Sequence, residues 1–366
     1  MKYELRKSAF LYFILQPSYF ILSSCVCFKR SCRNAMLPLA LLMIIFTCTS
    51  CSCADAPKSA RGSNSGTDKT DKWRTVPSTG ADPVEAASES TDDAEETAEE
   101  KAEIPEEEFT ENEKEMRDQL PDSFRIARVG PFVVASDQPE YNFESTKRYT
   151  IRDCYDAYYK TLFKKRPNDV MKVYLFDGKL SYEKWTKKLF GSVPDTPYGY
   201  YSPSRRALIM NIRTGGGTLV HEMAHALIVY DFPDVPSWFN EGVGSLYEQC
   251  YVSDDGELRG KTNWRLPILQ KAIRRNGGKS PVSLDDLVAS TTDEFYGDNK
   301  GVSYGLARYF CYYLQQKGLL QKVYKTFRDR YKEDPTGKKF IEEILGEKLS
   351  KTQKKLIPYT MKLRFR

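Results

Sequence analysis

The stretch Leu219-Val220-His221-Glu222-Met223-Ala224-His225-Ala226-Leu227, followed after a short loop by Pro236-Ser237-Trp238-Phe239-Asn240-Glu241-Gly242, decides how the rest of the sequence is read. The chain has two histidines and both stand in this window. Two histidines placed at random would fall four apart in roughly 1 chain in 180, and a glutamate in the second place makes the pattern rarer still. In a helix that spacing stacks both imidazoles on one face, a turn apart, where they can meet the same ion. The apolar flanks make this a buried helix, and burying two imidazoles without a partner would be costly. Glu222, offset about 100° around the helix, can reach a metal-bound water without ligating the metal. It is the candidate general base. Catalytic zinc takes a third protein ligand and leaves its fourth position to water. Glu241 lies sixteen positions beyond His225, where a second helix is expected to begin.

Here the sequence resembles the gluzincin zinc metallopeptidases, in which H-E-x-x-H is followed on the next helix by an N-E motif supplying a glutamate ligand. The nearer match is to the aminopeptidase-like branch and its bacterial peptidase-MA-like relatives, whose W-x-N-E-G stretch looks like W-F-N-E-G-V-G-S-L-Y-E at 238–248. The resemblance covers roughly residues 124–345, and outside the two motifs it is one of pattern. It implies a zincin-like fold, a mixed-sheet upper lobe with the active-site helix above a mostly helical lower lobe. It also implies one Zn2+ held by His221, His225 and Glu241, with Glu222 as base and a peptide or protein as substrate. The segment Ser303-Tyr304-Gly305-Leu306-Ala307 looks like the helix from which aminopeptidase-like gluzincins present a tyrosine, making Tyr304 the candidate oxyanion partner. Ser245 and Glu248, one and two turns beyond Glu241, are candidates for holding a ligand's free edge. The run Ala207 to Ile212 looks like the edge strand along which gluzincins bind an extended substrate. Aminopeptidases of this branch anchor the substrate ammonium with carboxylates, one of them on a G-x-M-E-N segment before the metal helix. Residues 196–220 contain no Asp or Glu and carry Arg205, Arg206 and Arg213. The expectation is therefore an endopeptidase or specialised hydrolase with a basic cleft wall.

Away from the motifs the pattern is of strands first and helices later, an α+β order. Phe124 to Val129 and Phe132 to Ala135 flank Gly130-Pro131 and read as paired strands. Residues 146–163 put Ile151, Cys154, Tyr155, Tyr158 and Leu162 on one helical face behind Ser145 as cap. Met171 to Phe176 and Ala207 to Ile212 read as strands. Gly215-Gly216-Gly217 lacks the Lys-Ser/Thr of a phosphate loop and reads as a tight strand-to-helix turn, with Thr218 as helix cap. Downstream helices are expected at 238–250, 266–276, 302–316, 319–331 and 337–345.

The first third has a different character. Residues 29–33 followed by the apolar run 36–46 and Thr49-Ser50 before Cys51 have the order of a removed export signal. The segment resembles a bacterial lipoprotein signal with Cys51 as the lipid-bearing residue, Cys48 and Cys53 being alternatives. It predicts an exported protein held at a membrane by a lipid anchor. An earlier apolar stretch, 9–27, is broken by Gln16-Pro17. From 51 to 118 the chain is rich in Ser, Thr, Ala, Asp and Glu, and reads as a disordered acidic tether. The expected domains are thus a leader at 1–50, a linker at 51–118 and a metallopeptidase domain at 119–366. Net charge is +5, but residues 1–118 carry 14 basic and 21 acidic side chains and residues 119–366 carry 41 and 29. No basic stripe interleaved with stacking aromatics accompanies that charge, so no nucleic-acid partner is expected. Of nine cysteines only Cys154, Cys250 and Cys311 fall in the domain, an odd number that reads as small buried hydrophobes. The rival reading is a binding or scaffold lipoprotein that keeps the fold without the activity.

Overall fold

In the computed structural model, residues 103–365 are described; the leader, Cys51 and most of the expected linker lie outside them. The first element corrects the expected boundary. Helix α1, Glu106–Gln119, belongs to the folded domain although its composition is that of the acidic tether. Its apolar residues are few, but Phe109, Met116 and the following Leu120 meet the sheet, with Met116 fully buried. Three glutamates in its first turn suit the helix dipole. Its acids also find basic partners: Arg128 pairs with Glu106 and Glu113, and Lys172 with Glu115.

Strands β1 (Arg125–Val129) and β2 (Phe132–Ser136) form the expected antiparallel hairpin, turning at Gly130 with φ +56°. A side chain at Gly130 would be strained whatever its size. Next come α2 (Glu140–Ser145), a π-helical stretch (Thr146–Arg152) and α3 (Asp153–Thr161). Ser145 is therefore inside a continuous helical run and caps nothing. β3 (Met171–Phe176), α4 (Lys179–Phe190), β4 (Gly199–Ser202) and β5 (Ala207–Asn211) complete the upper lobe. The five-stranded sheet has the order β1-β2-β3-β5-β4, parallel in β2-β3-β5 and antiparallel at both edges.

The strand period of two divides this sheet between two cores. Val133, Ala135, Tyr174, Phe176, Ala207 and Ile209 face one way, toward Met116, Leu120, Tyr182 and Trp185 of α1 and α4. Phe132, Val134, Val173, Leu175, Leu208 and Met210 face the other, toward α3 and the helices that follow. A sheet buried on both faces needs a cover on each, which is why the chain spends α1 as well as α4 on the outer one.

The remaining elements are α5 (Gly216–Asp231), α6 (Ser237–Tyr247), a two-stranded ribbon β6 (Cys250–Val252) and β7 (Leu258–Gly260), and helices α7 (Arg265–Arg275), α8 (Leu284–Ala289), α9 (Thr292–Tyr296), α10 (Lys300–Gln316), α11 (Leu320–Arg330), α12 (Lys338–Leu345) and α13 (Leu349–Lys362). The fold is α+β, a mixed sheet followed by a mostly helical part, as expected. No helix among the described residues is long and apolar enough to cross a membrane.

Two glycines set the crossing of α5 and α6. A Cβ at Gly217 would lie 2.1 Å from the Glu248 carbonyl oxygen, so only glycine lets the first turn of α5 pass the end of α6. The triple glycine is the expected turn, but Gly215 rather than Thr218 precedes the helix, and no side-chain cap is made. A Cβ at Gly242 would meet the Cys311 sulfur at 2.8 Å, so α6 packs closely on α10 there. Beneath them Trp238, Phe239, Phe310, Tyr324 and Phe327 form an aromatic core.

Candidate metal centre

Helix α5 is apolar nearly all round, so its polar residues stand out as the exceptions. His221 and His225 share one face, their rings edge to face with centroids 4.6 Å apart. The loop 232–236 reverses the chain and brings α6 across that face. Gly244, one turn past Glu241, lies directly against the two imidazoles. A Cβ there would come within 3.1 Å of His225 and 3.3 Å of His221, so the helical cost of glycine is offset by room for two imidazoles. Glu241 then points between the rings. The two Nε2 atoms are 3.0 Å apart, and Glu241 Oε2 lies 3.4 Å from that of His221 and 3.6 Å from that of His225.

These separations fit a bound ion. Ligand atoms about 2.0–2.1 Å from a tetrahedral zinc stand about 3.3–3.4 Å from one another. Glu241 Oε2 is buried without a hydrogen bond of its own, as is Nδ1 of His221. Nδ1 of His225 bonds Oδ1 of Asn240 at 2.8 Å, which orients the ring with Nε2 inward. Asn240 and Gly244 both sit inside the W-F-N-E-G-V-G stretch, where the sequence pattern gives neither a role. The signals were a side-chain amide next to the ligand and a glycine in a helix interior.

Electrostatics show how strongly the three groups depend on one another. Burial pushes the Glu241 carboxyl up, but His225 and His221 outweigh it and hold it well below the usual range. For His225 burial works downward and is overcome by Glu241, Glu222 and Asn240, leaving it pushed up to about 9.

Glu222 lies beside the cluster and reaches the sheet. Its Oε2 accepts a hydrogen bond from the Tyr201 amide of β4 at 3.0 Å. Burial raises its carboxyl above the ordinary glutamate range, against the pull of both histidines. Two expectations about its surroundings are corrected. The sheet edge beside α5 is β4, not Ala207 to Ile212, because β5 is flanked by β3 and β4. β5 is also buried at every position, as an interior strand must be. And the three arginines build no basic wall: Arg206 pairs with Asp169, Arg213 with Asp177, and Arg205 lies over the Phe190 ring.

Ser245 and Glu248 do not hold the ligands. Ser245 donates to the Glu241 backbone carbonyl at 2.5 Å, a local helix contact. Glu248 accepts from Asn263 and Trp264 and faces Arg265. The group that does hold the carboxylate is Tyr296, which donates to Glu241 Oε1 at 2.6 Å. Nothing in the sequence marked it among 24 tyrosines. Tyr304, from α10, is brought to the same place: buried, its ring 5.9 Å from that of Tyr296, within reach of Glu241. Burial first, and Glu241 second, push both phenols up, so both remain donors at neutral pH.

The three domain cysteines are free, Cys154 and Cys311 buried and Cys250 partly so. Against known proteins, no family model matches the chain and no curated protein matches it.

Proposed function

We propose that the chain is a zinc-dependent peptide-bond hydrolase of gluzincin type, an endopeptidase exported to or anchored at the cell envelope. One observation carries the reading: His221, His225 and Glu241 converge at the spacing of a tetrahedral site, while Glu222 stands beside it on the side of the sheet edge. Zinc, when bound there, polarises a scissile carbonyl and lowers the pKa of its water toward about 7. Glu222 takes a proton from the attacking water and passes it to the leaving amine. Its raised carboxyl makes it the stronger base for the first half of that exchange.

Tyr304 O–H donates to the carbonyl oxygen as negative charge develops. The edge strand β4 gives an extended peptide a place to pair. Tyr201 turns its amide off that edge toward Glu222, so substrate would lie alongside the base. The endopeptidase reading rests on residues 196–220, which offer no carboxylate to an ammonium group. Export rests on the basic, apolar and small-residue order before Cys51.

Glu222→Gln is the test. It is expected to keep one zinc and lose hydrolysis of a peptide library that the zinc-loaded protein cleaves and a chelator protects. Retained cleavage would remove Glu222 from the chemistry, and a wild-type protein that binds no zinc would remove the proposal.

A further inference from the structure

Glu241 uses its two oxygens differently. Oε2 faces both imidazole nitrogens, at 3.4 and 3.6 Å, and has no hydrogen bond of its own. Oε1 is taken by the Tyr296 hydroxyl at 2.6 Å, the short distance of a charge-assisted bond. A carboxylate free to turn about its last torsion could offer a metal either oxygen or both. One held at Oε1 offers Oε2 alone. We propose that Tyr296 is a positioning residue for the metal site, fixing Glu241 as a one-oxygen ligand through Oε1. The inference rests on the zinc-hydrolase reading and adds to it a residue that neither motif contains.

The surrounding structure is built to keep Tyr296 in place. Its helix, α9, is only five residues long and has little stability of its own. A capping box secures it: the Thr291 side chain accepts from the Glu294 amide, and the Glu294 carboxylate accepts from the Thr291 amide at 2.8 Å. Thr292 Oγ1 then bonds Ser237 Oγ at 2.9 Å. Ser237 is the first residue of α6 and Thr292 the first of α9. The two helices are therefore joined at their starts, four residues before Glu241 and four before Tyr296. Phe295, fully buried, packs its ring 5.1 Å from that of Tyr304 and closes the far side. Tyr296 and Glu241 thus meet as ends of two short arms tied at the base.

The experiment uses the full chain, stripped of metal and titrated with Zn2+ against a chromophoric chelator, then with Co2+ alone for its visible spectrum. Tyr296→Phe is expected to bind one zinc with about 10–100-fold lower affinity, the usual effect of losing a partner behind a ligand. Its Co2+ spectrum is expected to change as the carboxylate turns. In a Glu241→Ala background, where the two imidazoles still hold Zn2+ weakly enough to titrate at higher metal concentration, the same substitution should add no further loss, because the residue acts through that carboxylate. A general loosening of the fold would instead weaken both backgrounds alike. Unchanged affinity and spectrum, or equal losses in both backgrounds, would overturn the proposal. A wild-type chain that takes up neither metal would overturn the zinc reading beneath it, whereas wild-type binding with an indifferent Y296F removes the positioning role alone. Should Y296F not fold, Thr291→Ala, which frays α9 and keeps the phenol, is expected to weaken zinc in the same direction. A folded T291A with wild-type affinity would then count against the proposal.

Discussion

Two buried carboxylates flank the turn between α5 and α6, and they are treated in opposite ways. Asp231, the last residue of α5, has no exposed side-chain surface and is fully provided for. It accepts from the amides of Lys164 and Lys165, each at 2.8 Å, from the Tyr324 hydroxyl at 2.9 Å, and from Arg328 at 3.1 Å. A negative charge at a helix C-terminus opposes the dipole, so these donors are needed to keep it there. Glu241, nearly as buried, has one donor on one oxygen and two imidazoles facing the other. The first site is closed by the protein and fixes where α5 ends. The second leaves a carboxylate oxygen and two imidazole nitrogens that could hold a cation. Both are buried acids a few residues from the same loop, so burial and charge alone do not distinguish structural from functional groups. The inventory of donors does.

Substitutions can break that contrast. The largest effect is expected at the open site: His221→Ala or His225→Ala should take zinc content from one equivalent to none, read by metal analysis after dialysis. In the wild type, acid should release the metal, because binding requires neutral imidazoles and an ionised carboxylate, and protons compete as pH falls. Next in size is the closed site. Asp231→Ala strands Arg328 and the Tyr324 hydroxyl in the interior and should cost about 3–5 kcal/mol in denaturant unfolding, with zinc stoichiometry unchanged in the folded fraction. If D231A instead lost zinc while keeping its stability, the two sites would not be separable as described.

Smaller effects sharpen the picture around the open site. Tyr304→Phe is expected to lower turnover tenfold or more at unchanged zinc affinity, about 1.4 kcal/mol or more of transition-state stabilisation. Near-wild-type turnover would leave Tyr304 as core, alongside Tyr309 and Phe310. The finest comparison is between free and N-acetylated forms of one peptide, which should be cleaved at similar rates. Strict dependence on a free amino terminus, with release of single residues, would mark an exopeptidase and require an ammonium anchor outside residues 196–220.

Much of this site was legible because its information is local. The i, i+4 histidines determine a shared helical face whatever surrounds them, and the glutamate between them is placed by the same geometry. The strand order and the later run of helices likewise follow from periods of two and 3.6. Where reading by composition failed, long-range packing had overruled it. Residues 106–119 look like solvated tether, but a sheet apolar on both faces needs a cover, and a helix with Phe109 and Met116 on one side suffices. Ser245 and Glu248 lie on the same helical side as Glu241, yet one turns to its own backbone and the other to Asn263 and Trp264.

The sequence by itself therefore determined the chemistry on offer: two imidazoles and a carboxylate at one turn of helix, a second carboxylate sixteen residues on, and an α+β frame to carry them. Only the tertiary structure decided which groups serve them. It made β4 the edge strand that meets Glu222, gave Asn240 to His225, and brought Tyr296 from 55 residues away onto Glu241 Oε1. The reason is physical. Ligands adjacent on a helix are placed by covalent geometry, whereas the donors that orient them arrive across helix crossings set by glycines at 217, 242 and 244 and by the packing of a shared core, and no local pattern encodes that arrival.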